Sequence, residues 1–344
     1  MVFHVLLGVL TYIMDYNILY IGNFTERESP LGYCPNAMWI TETLRSLGHT
    51  VTAINEHDAD ADADAILQET YRQKYDFILT EEGRLRGDFV NDLERGEDIV
   101  LGLFSRVLDE TKIPIVAWLS NIFYGIMRRE LQIKTNPIFR SDIVFSTDGG
   151  HDKEFRDAGV NHVNLRMGIY EPEAYLGKPI YPTANTVQVA FIGSIYEEIW
   201  PYRKELVDWL GLTYKNKFMH VGARGEVRHD DLNNFVATVK VIVGDSVYSP
   251  NYWSNRIYEV IGRGGFIIHP MVEGLEKEFT PYEHFVPYTF GDLKGLKEKI
   301  DYYMTHDEER ERIRLAGFEH CKKHHTYKHR VQKMLDILKE QEII

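Results

Sequence analysis

One stretch, residues 239–279, constrains the fold of this chain more than any other part of the sequence. A run of β-branched residues at 239–243 ends in the turn residues 244–246, and the pattern that follows predicts a helix over 254–262. A second apolar strand, 266–269, comes directly after the glycines that end this helix. Such a βαβ unit belongs to a parallel sheet, and its loop opens at the carboxyl edge of that sheet, where open α/β folds bind ligands.

The start of the predicted helix has the composition of a phosphate site. Ser254 or Asn255 is expected to cap the helix, and the backbone N–H groups of the first turn, with Arg256 beside them, would meet a negative charge. Glu259 lies one turn beyond Asn255 and could accept hydrogen bonds from sugar hydroxyls. This combination suits a nucleotide diphosphate. The alternative is an ordinary capped helix with a surface Arg256–Glu259 ion pair.

The same region shares several features with a known family. They are an asparagine-arginine-x-x-glutamate helix start at 255–259, the glycine break and strand after it, and two helices that end in the histidine-threonine-tyrosine triplet at 325–327. With these features, residues 187–335 resemble the C-terminal half of CgeB-like glycosyltransferases, which have the GT-B fold. The resemblance implies a nucleotide-sugar donor site in a C-terminal domain and an acceptor site in an N-terminal domain, facing each other across a cleft.

Two other strand ends of the C-terminal half carry residues suited to the same ligand. A glycine after each strand would let a phosphate or sugar approach the backbone, and nearby arginines would complement the charge of a diphosphate. Without the resemblance, the glycines are more simply tight turns and His220 a satisfied buried histidine. The donor-binding candidates are Gly193, Ser194, Arg203, His220, Gly222, Arg224, Tyr252, Ser254, Asn255, Arg256 and Glu259.

The N-terminal half alternates short apolar strands with helices. Strands are predicted at 17–22, 50–54, 75–80, 113–119 and 142–146, and the first helix at 36–47. The proline-rich stretch 165–182 has no apolar period and is interpreted as the connection between domains. The predicted fold is α/β of the GT-B type: two Rossmann-like, doubly wound domains face each other across a cleft, and a C-terminal helix returns to the N-terminal domain.

Four segments follow from this prediction. They are an N-terminal extension (1–13), an acceptor-side domain (14–175), a nucleotide-sugar-binding domain (176–325) and a crossing helix (326–344). The extension is apolar but lacks a basic start and a cleavage site, and it is too short to span a bilayer, so a peripheral anchor is the minority interpretation. The acid-alanine run at 58–64 lacks the glycine and distal glutamate of a calcium loop and is assigned no role.

Composition narrows the choice of partners. The formal net charge of −13 argues against a broad surface for nucleic acid or anionic membrane, which needs clustered lysine and arginine. The two cysteines, Cys34 and Cys321, form no disulfide framework or zinc spacing, which fits the cytoplasm.

The chemistry expected is metal-independent. Helix N-termini and arginines can stabilise the charge that develops on a leaving diphosphate, so no cofactor is predicted besides the nucleotide-sugar co-substrate. Four histidines have spacings that could bind a metal, His320, His324, His325 and His329, but packing or helix-dipole roles are favoured.

Candidate general bases follow the strands of the N-terminal domain, although turn chemistry explains them equally well. They are Glu81, Glu82, Asp148 and His151. Many retaining relatives of the wider GT-B group carry two glutamates with seven residues between them, the second at the position of Glu259; the first would fall at Asn251, which is not acidic. The stereochemical outcome is therefore open.

The function predicted is a cytoplasmic glycosyltransferase that moves a hexosyl or pentosyl group from a nucleotide diphosphate sugar, with UDP-sugar as the working donor. The acceptor hydroxyl is open among a glycan, a protein, a metabolite and a hydroxylated DNA base, and stable membrane insertion is not expected. The alternatives are a GT-B-fold sugar-nucleotide epimerase, which needs acids on both sides of the anomeric carbon, and a non-catalytic sugar-nucleotide-binding protein.

Overall fold

The computed structural model describes residues 15–24, 36–56, 58, 62–81, 89–92, 97–100, 103–180, 187–195, 201–222, 227 and 229–344. The predicted extension at 1–13 and three predicted residues, Cys34, Glu82 and Arg224, lie outside these ranges. Within them, none of the helices is both long and apolar enough to cross a membrane.

The first domain alternates strands and helices as predicted. Its strands are β1 (Asn17–Gly22), β2 (Thr50–Asn55), β3 (Phe77–Thr80), β4 (Phe89–Asp92), β5 (Glu97–Val100), β6 (Ile115–Leu119), β7 (Ile143–Ser146) and β8 (His162–Asn164). Its helices are α1 (Asn36–Ser46), α2 (Ala63–Arg72), α3 (Leu103–Glu110), α4 (Met127–Thr135) and α5 (Asp152–Asp157). The acid-alanine run leads into α2, where the Asp62 carboxylate accepts a hydrogen bond of 2.8 Å from the backbone N–H of Ala65.

Six of these strands form one parallel sheet in the order β2-β1-β3-β6-β7-β8, and β4 pairs with β5 as a separate antiparallel hairpin. The central strands are apolar along their length because helices cover both faces of the sheet. The strand order reverses between β1 and β3, so their carboxyl ends, at Gly22 and Glu81, flank the crevice where doubly wound sheets bind ligands.

The second domain repeats this architecture. Its strands are β9 (Val189–Ile192), β10 (Phe218–Val221), β11 (Val241–Val243), β12 (Ile267–Pro270) and β13 (Val286–Tyr288), and its helices are α6 (Pro201–Tyr214), α7 (His229–Thr238), α8 (Arg256–Gly262), α9 (Leu293–Thr305) and α10 (Asp307–His324). The sheet is parallel, in the order β10-β9-β11-β12-β13. Its order reverses between β9 and β11, which brings Gly193 and Gly244 to the same crevice.

The last helix, α11 (Tyr327–Glu340), belongs to the core of the first domain. Its buried face packs there with α1; the apolar side chains concerned are Tyr327, Val331, Met334, Leu335 and Leu338. Each large apolar side chain buried in this way contributes about 1.5–3 kcal/mol. The predicted return of the C-terminal helix to the first domain, and the predicted pair of facing α/β domains, are therefore confirmed.

The connection between the domains is held at both ends. A β-bridge joins Ile169 to Thr326 directly before α11, and the Thr326 hydroxyl donates to the Glu171 carboxylate at 2.7 Å. Arg166 donates to the carbonyl oxygens of Thr147 (3.0 Å) and Asn251, and its guanidinium carbon lies 3.5 Å from the centre of the Trp253 ring. The two domains are thus in direct contact beside the cleft.

Candidate functional site

A cavity of about 250 Å³ lies between the domains at the carboxyl edge of the second sheet. The second domain contributes the end of β9 and the first residues of α8, and the first domain contributes Asn36 and Trp39 from α1. Tyr327 of the crossing helix also lines the cavity, and its hydroxyl donates to the Asn36 side-chain oxygen at 3.0 Å. Both halves of the chain therefore build the walls of one site.

Two arginines meet one buried carboxylate beside this cavity. Asp245, directly after β11, accepts from Arg203 Nε at 2.6 Å through Oδ2, and from Arg256 Nη1 through Oδ1. All three side chains are almost fully buried. Burial raises the pKa of Asp245, but the two guanidinium groups outweigh it and hold this pKa below its ordinary value. The cluster has two positive charges and one negative charge, which leaves an excess of positive charge at the switch point of the sheet.

Arg256 is held by contacts from both sides. Its Nε donates to the carbonyl oxygen of Ile192, and its guanidinium carbon lies 4.4 Å from the centre of the Phe191 ring. Gly193 has φ +141°, and a Cβ at this position would collide with the Arg256 guanidinium. His220 lies against the carbonyl oxygen of Gly193, with its Nε2 at 2.7 Å. Gly193 is thus needed for close approach of the arginine, and His220 is a satisfied, half-buried histidine.

The predicted cap of α8 is partly wrong. Asn255 has helical backbone angles, φ −56° and ψ −18°, and its side chain makes no capping hydrogen bond. The hydroxyl of Ser254 accepts a long hydrogen bond of 3.4 Å from the N–H of Arg256. Ser254, Asn255 and Arg256 line the cavity, while the backbone N–H groups of residues 256–259 donate to Ser254 and Asn255 within the turn.

The alternative interpretation of Arg256 and Glu259 as a surface ion pair is wrong. Arg256 turns into the domain towards Asp245, whereas Glu259 Oε2 pairs with Arg263 Nη2 at 2.9 Å. The Glu259 side chain keeps 27% of its surface exposed and lines the cavity. Arg256 and Glu259 therefore reach the same cavity through separate networks.

Two other donor-binding candidates, Ser194 and Tyr252, lie close to Arg203, and a third, Gly222, lies at the end of β10. The Ser194 carbonyl accepts from Arg203 Nη1 at 3.0 Å, and Gly222 follows β10 in a half-buried position. Tyr252 is buried, and burial raises its pKa to about 12. Its carbonyl accepts from the Ser246 hydroxyl at 3.2 Å, which ties the loop before α8 to the end of β11.

The candidate bases of the first domain occupy different environments. Glu81 is buried at the switch point, next to Gly22. Asp148 is also buried, and its two oxygens accept backbone hydrogen bonds of 2.8–3.0 Å from residues 123 and 124 and a hydroxyl hydrogen bond from Ser146. Asp148 therefore organises a loop, as the turn interpretation expects. The His151 ring stacks on Tyr124 at 4.4 Å between ring centres.

Asn251 is a point of contact between the domains. It has φ +49°, its carbonyl accepts from Arg166, and its backbone packs against Gly149. A Cβ at Gly274 would also collide with the Asn251 side chain. The position that carries an acid in many retaining relatives is thus filled here by an amide wedged into the interface.

The histidines near the C-terminus have structural partners. His325 Nδ1 lies 3.0 Å from the Glu278 carboxylate, and its Nε2 lies 3.1 Å from His320 Nε2. His329 Nδ1 lies 2.7 Å from the Thr326 hydroxyl in the capping box of α11. In the described ranges, no three histidine, cysteine or acidic side chains are grouped as a metal site would require.

The sequence analysis missed Asp245 and Arg263. Asp245 was interpreted only as part of a turn, although an acid directly after a buried strand at a switch point is a recognisable signal. Arg263 follows the helix and precedes two glycines, and nothing in that pattern distinguishes it from a surface arginine.

The comparisons with known proteins agree with this geometry. Residues 179–336 match the family model described as glycosyl transferase-like. Among solved structures, an alpha-glucosyltransferase in complex with UDP-glucose and DNA containing an abasic site is similar with a TM-score of 0.68 and 12% identity, over 95% of this chain and 100% of that chain. Sucrose-phosphate synthase from Thermosynechococcus elongatus has a TM-score of 0.66 at 12% identity, with coverage of 95% and 99%.

Anabaena HepE in complex with UDP-glucose is similar with a TM-score of 0.63 and 13% identity, over 95% of this chain and 100% of that chain. A search of curated protein sequences finds no significant relative. At these identities the structural likeness establishes the fold, and the family match is confined to the second domain and the last helix. The chain therefore has the GT-B fold, and its residues 179–336 match the glycosyl transferase-like family model.

Proposed function

We propose that this protein transfers a sugar from a UDP-sugar to an acceptor hydroxyl, with the CgeB-like enzymes as its nearest group. The observation that carries the proposal is the pair of arginines on Asp245, next to Gly193 and the first residues of α8 at the cavity. A diphosphate requires positive charge of this kind. The structurally similar HepE and alpha-glucosyltransferase bind UDP or UDP-glucose, which supports uracil as the base.

The chemistry follows from where charge develops. As the bond between the sugar and the phosphate breaks, negative charge grows on the leaving diphosphate, and the Arg256 guanidinium at the cavity would stabilise it. Glu259, one turn along the helix, would accept hydrogen bonds from the ribose hydroxyls. The acceptor would enter from the first domain, where the buried Glu81 is the candidate base best placed at the switch point.

The net charge of the chain bears on which class of acceptor the enzyme uses. One structurally similar alpha-glucosyltransferase is bound to DNA, but the net charge of −13 here disfavours long duplex DNA. A glycan, protein or metabolite hydroxyl is therefore the proposed acceptor. Cys321 is a buried free thiol, in keeping with the cytoplasm as the proposed location.

The experiment that tests this function measures binding, donor hydrolysis and transfer separately. Thermal shift with UDP, ADP, GDP and their common sugar conjugates identifies the donor, because a ligand that binds only the folded state raises its apparent stability. The donor found is then incubated with acceptor hydroxyls, and released UDP and glycosylated product are quantified. Binding without hydrolysis or transfer would support a non-catalytic binding protein, and conversion of the sugar without release of UDP would support an epimerase.

Activity is expected to persist in a metal chelator. The leaving charge is met in this proposal by guanidinium groups, which do not depend on a divalent ion. Transfer measured in EDTA should match transfer in magnesium or manganese. A loss in EDTA that either ion restores would contradict the mechanism.

Replacement of Glu259 by glutamine is expected to weaken UDP binding by roughly 1–2 kcal/mol, because the charge-assisted hydrogen bond to the ribose is lost. Inorganic pyrophosphate has no ribose, so its affinity should be nearly unchanged. Isothermal titration of both ligands checks this, with Glu308→Gln, at an exposed glutamate on α10, as the control. Equal defects for both ligands would place Glu259 in the phosphate site, and no defect would make it an ordinary surface residue.

A further inference from the structure

Arg263 is one of the largest fully buried side chains of the chain, and it follows the last residue of α8. Its Nη2 donates to both Glu259 (2.9 Å) and Glu173, and its Nη1 donates to the side-chain oxygen of Asn233 at 2.7 Å. Asn233 in turn donates to the carbonyl oxygens of Glu173 and Tyr175, both at 2.9 Å. One guanidinium therefore joins α8, α7 and the connection between the domains.

This network contains more buried charged groups than packing alone requires. A buried guanidinium loses its hydration, and that loss is recovered only through paired charge and hydrogen bonds. Two carboxylates share the single guanidinium, and Glu173, Glu259 and Arg263 all line the cavity. The Nε of Arg263 is buried and has no hydrogen-bond partner in the part of the chain that the structure describes. Packing the end of a helix against its neighbours would need neither the charge nor the shared carboxylates.

Arg263 is too far from the phosphate end of α8 to act there. Seven residues separate it from Arg256, and at a rise of about 1.5 Å per residue this is about 10 Å along the helix. Any contribution of Arg263 to ligand binding must therefore reach the nucleoside, through Glu259, and leave the diphosphate untouched.

We propose that Arg263 is a positioning residue that holds the Glu259 carboxylate in the orientation that receives the nucleoside part of the donor, and that Glu173 ties this orientation to the interdomain connection. This inference rests on the proposed function and deepens it. Arg263 itself lies at the cavity wall, but with only 2% of its side chain exposed it acts through the Glu259 carboxylate. It selects the rotamer of Glu259 before binding, so that the side-chain entropy of that glutamate is lost on folding, ahead of ligand capture.

The test is a double-mutant cycle between Arg263→Lys and Glu259→Gln, read by isothermal titration with UDP and with inorganic pyrophosphate. Lysine keeps the positive charge but cannot hold two carboxylates and an amide in one plane. Arg263→Lys should raise the Kd for UDP by about tenfold, the size expected when one charge-assisted hydrogen bond is lost. The double variant should be hardly weaker than either single variant, since both remove the same contact. The Kd for pyrophosphate should stay within about twofold in all variants.

Arg310→Lys is the matched control. Arg310 is also buried and paired, with Asp307 at 2.6 Å, but it lies on α10 and does not line the cavity. This variant should bind UDP as the unmodified protein does. If Arg263→Lys does not fold, Asn233→Ala removes the Nη1 partner from outside the cavity and should give the same selective loss of UDP affinity.

Three results would overturn the inference: equal losses for UDP and pyrophosphate, additive effects of the two substitutions, or unchanged UDP affinity in folded Arg263→Lys. Each would reduce Arg263 to a structural ion pair. If the unmodified protein binds pyrophosphate but no nucleoside diphosphate, the proposed donor class fails, and the positioning role fails with it. The affinities of the unmodified protein therefore separate that failure from a failure of Arg263 alone.

Discussion

Replacement of Asp245 by alanine is expected to destabilise the protein by about 3–5 kcal/mol, the range for removing one partner of a buried charge network. Asp245 is the shared acceptor for Arg203 and Arg256, and without it two guanidinium groups would lie side by side in the protein interior. The free energy of unfolding, measured by urea titration with circular dichroism, checks this. Asp208→Ala is the control, because its exposed pair with Lys204 is worth at most about 1 kcal/mol.

The same variant should respond unusually to anions. Pyrophosphate would supply the negative charge that Asp245 no longer provides, so it should raise the melting temperature of Asp245→Ala more than that of the unmodified protein. A loss below about 1 kcal/mol in Asp245→Ala would contradict the role of the carboxylate as organiser of the two arginines. A pyrophosphate response equal in both proteins would mean that the arginines do not face the diphosphate.

Replacement of Arg256 by alanine is expected to weaken the binding of both UDP and pyrophosphate by roughly 1.5–3 kcal/mol, the range for hydrogen bonds to a charged group. The fold should survive, because Asp245 keeps its ion pair with Arg203. Isothermal titration of both ligands gives the result, and circular dichroism confirms that the variant is folded.

The control for this substitution is Arg314→Ala, which removes a partly exposed arginine of α10 that donates to the Gly264 carbonyl outside the cavity. Arg314→Ala should leave both affinities unchanged. Unchanged affinities in folded Arg256→Ala would exclude this arginine from the phosphate site. A defect for UDP alone would move Arg256 to the nucleoside end of the ligand.

Together with Glu259→Gln, these two variants show which part of the ligand each residue contacts. Defects for both ligands identify the diphosphate end, and a defect for UDP alone identifies the ribose end. Arg256 and Glu259 lie less than one helical turn apart on α8. The diphosphate end and the ribose end of the ligand would therefore lie equally close together along this helix.

Much of the fold was readable from local patterns. The first strand, Asn17–Gly22, and the start of α1 at Asn36 agree with the apolar periodicity and the turn residues around them. The amphipathic stretch at the C-terminus likewise predicted a helix, whereas its return to the first domain was expected only from the resemblance to the GT-B fold. These strands and helices depend on residues close together in sequence, and periods of 2.0 and 3.6 residues record them directly.

The sequence alone predicted where the site lies, but not which residues pair with each other inside it. Strand ends and the helix start at 254–256 marked the correct edge of the sheet, since the carboxyl ends of parallel strands meet there. The partners were decided by tertiary structure. Arg256 pairs with Asp245, and Arg263 pairs with Glu173 across 90 residues of chain. Such pairs arise because a buried charge must find a counter-charge wherever packing brings one, and no periodicity in the sequence records which residue that is.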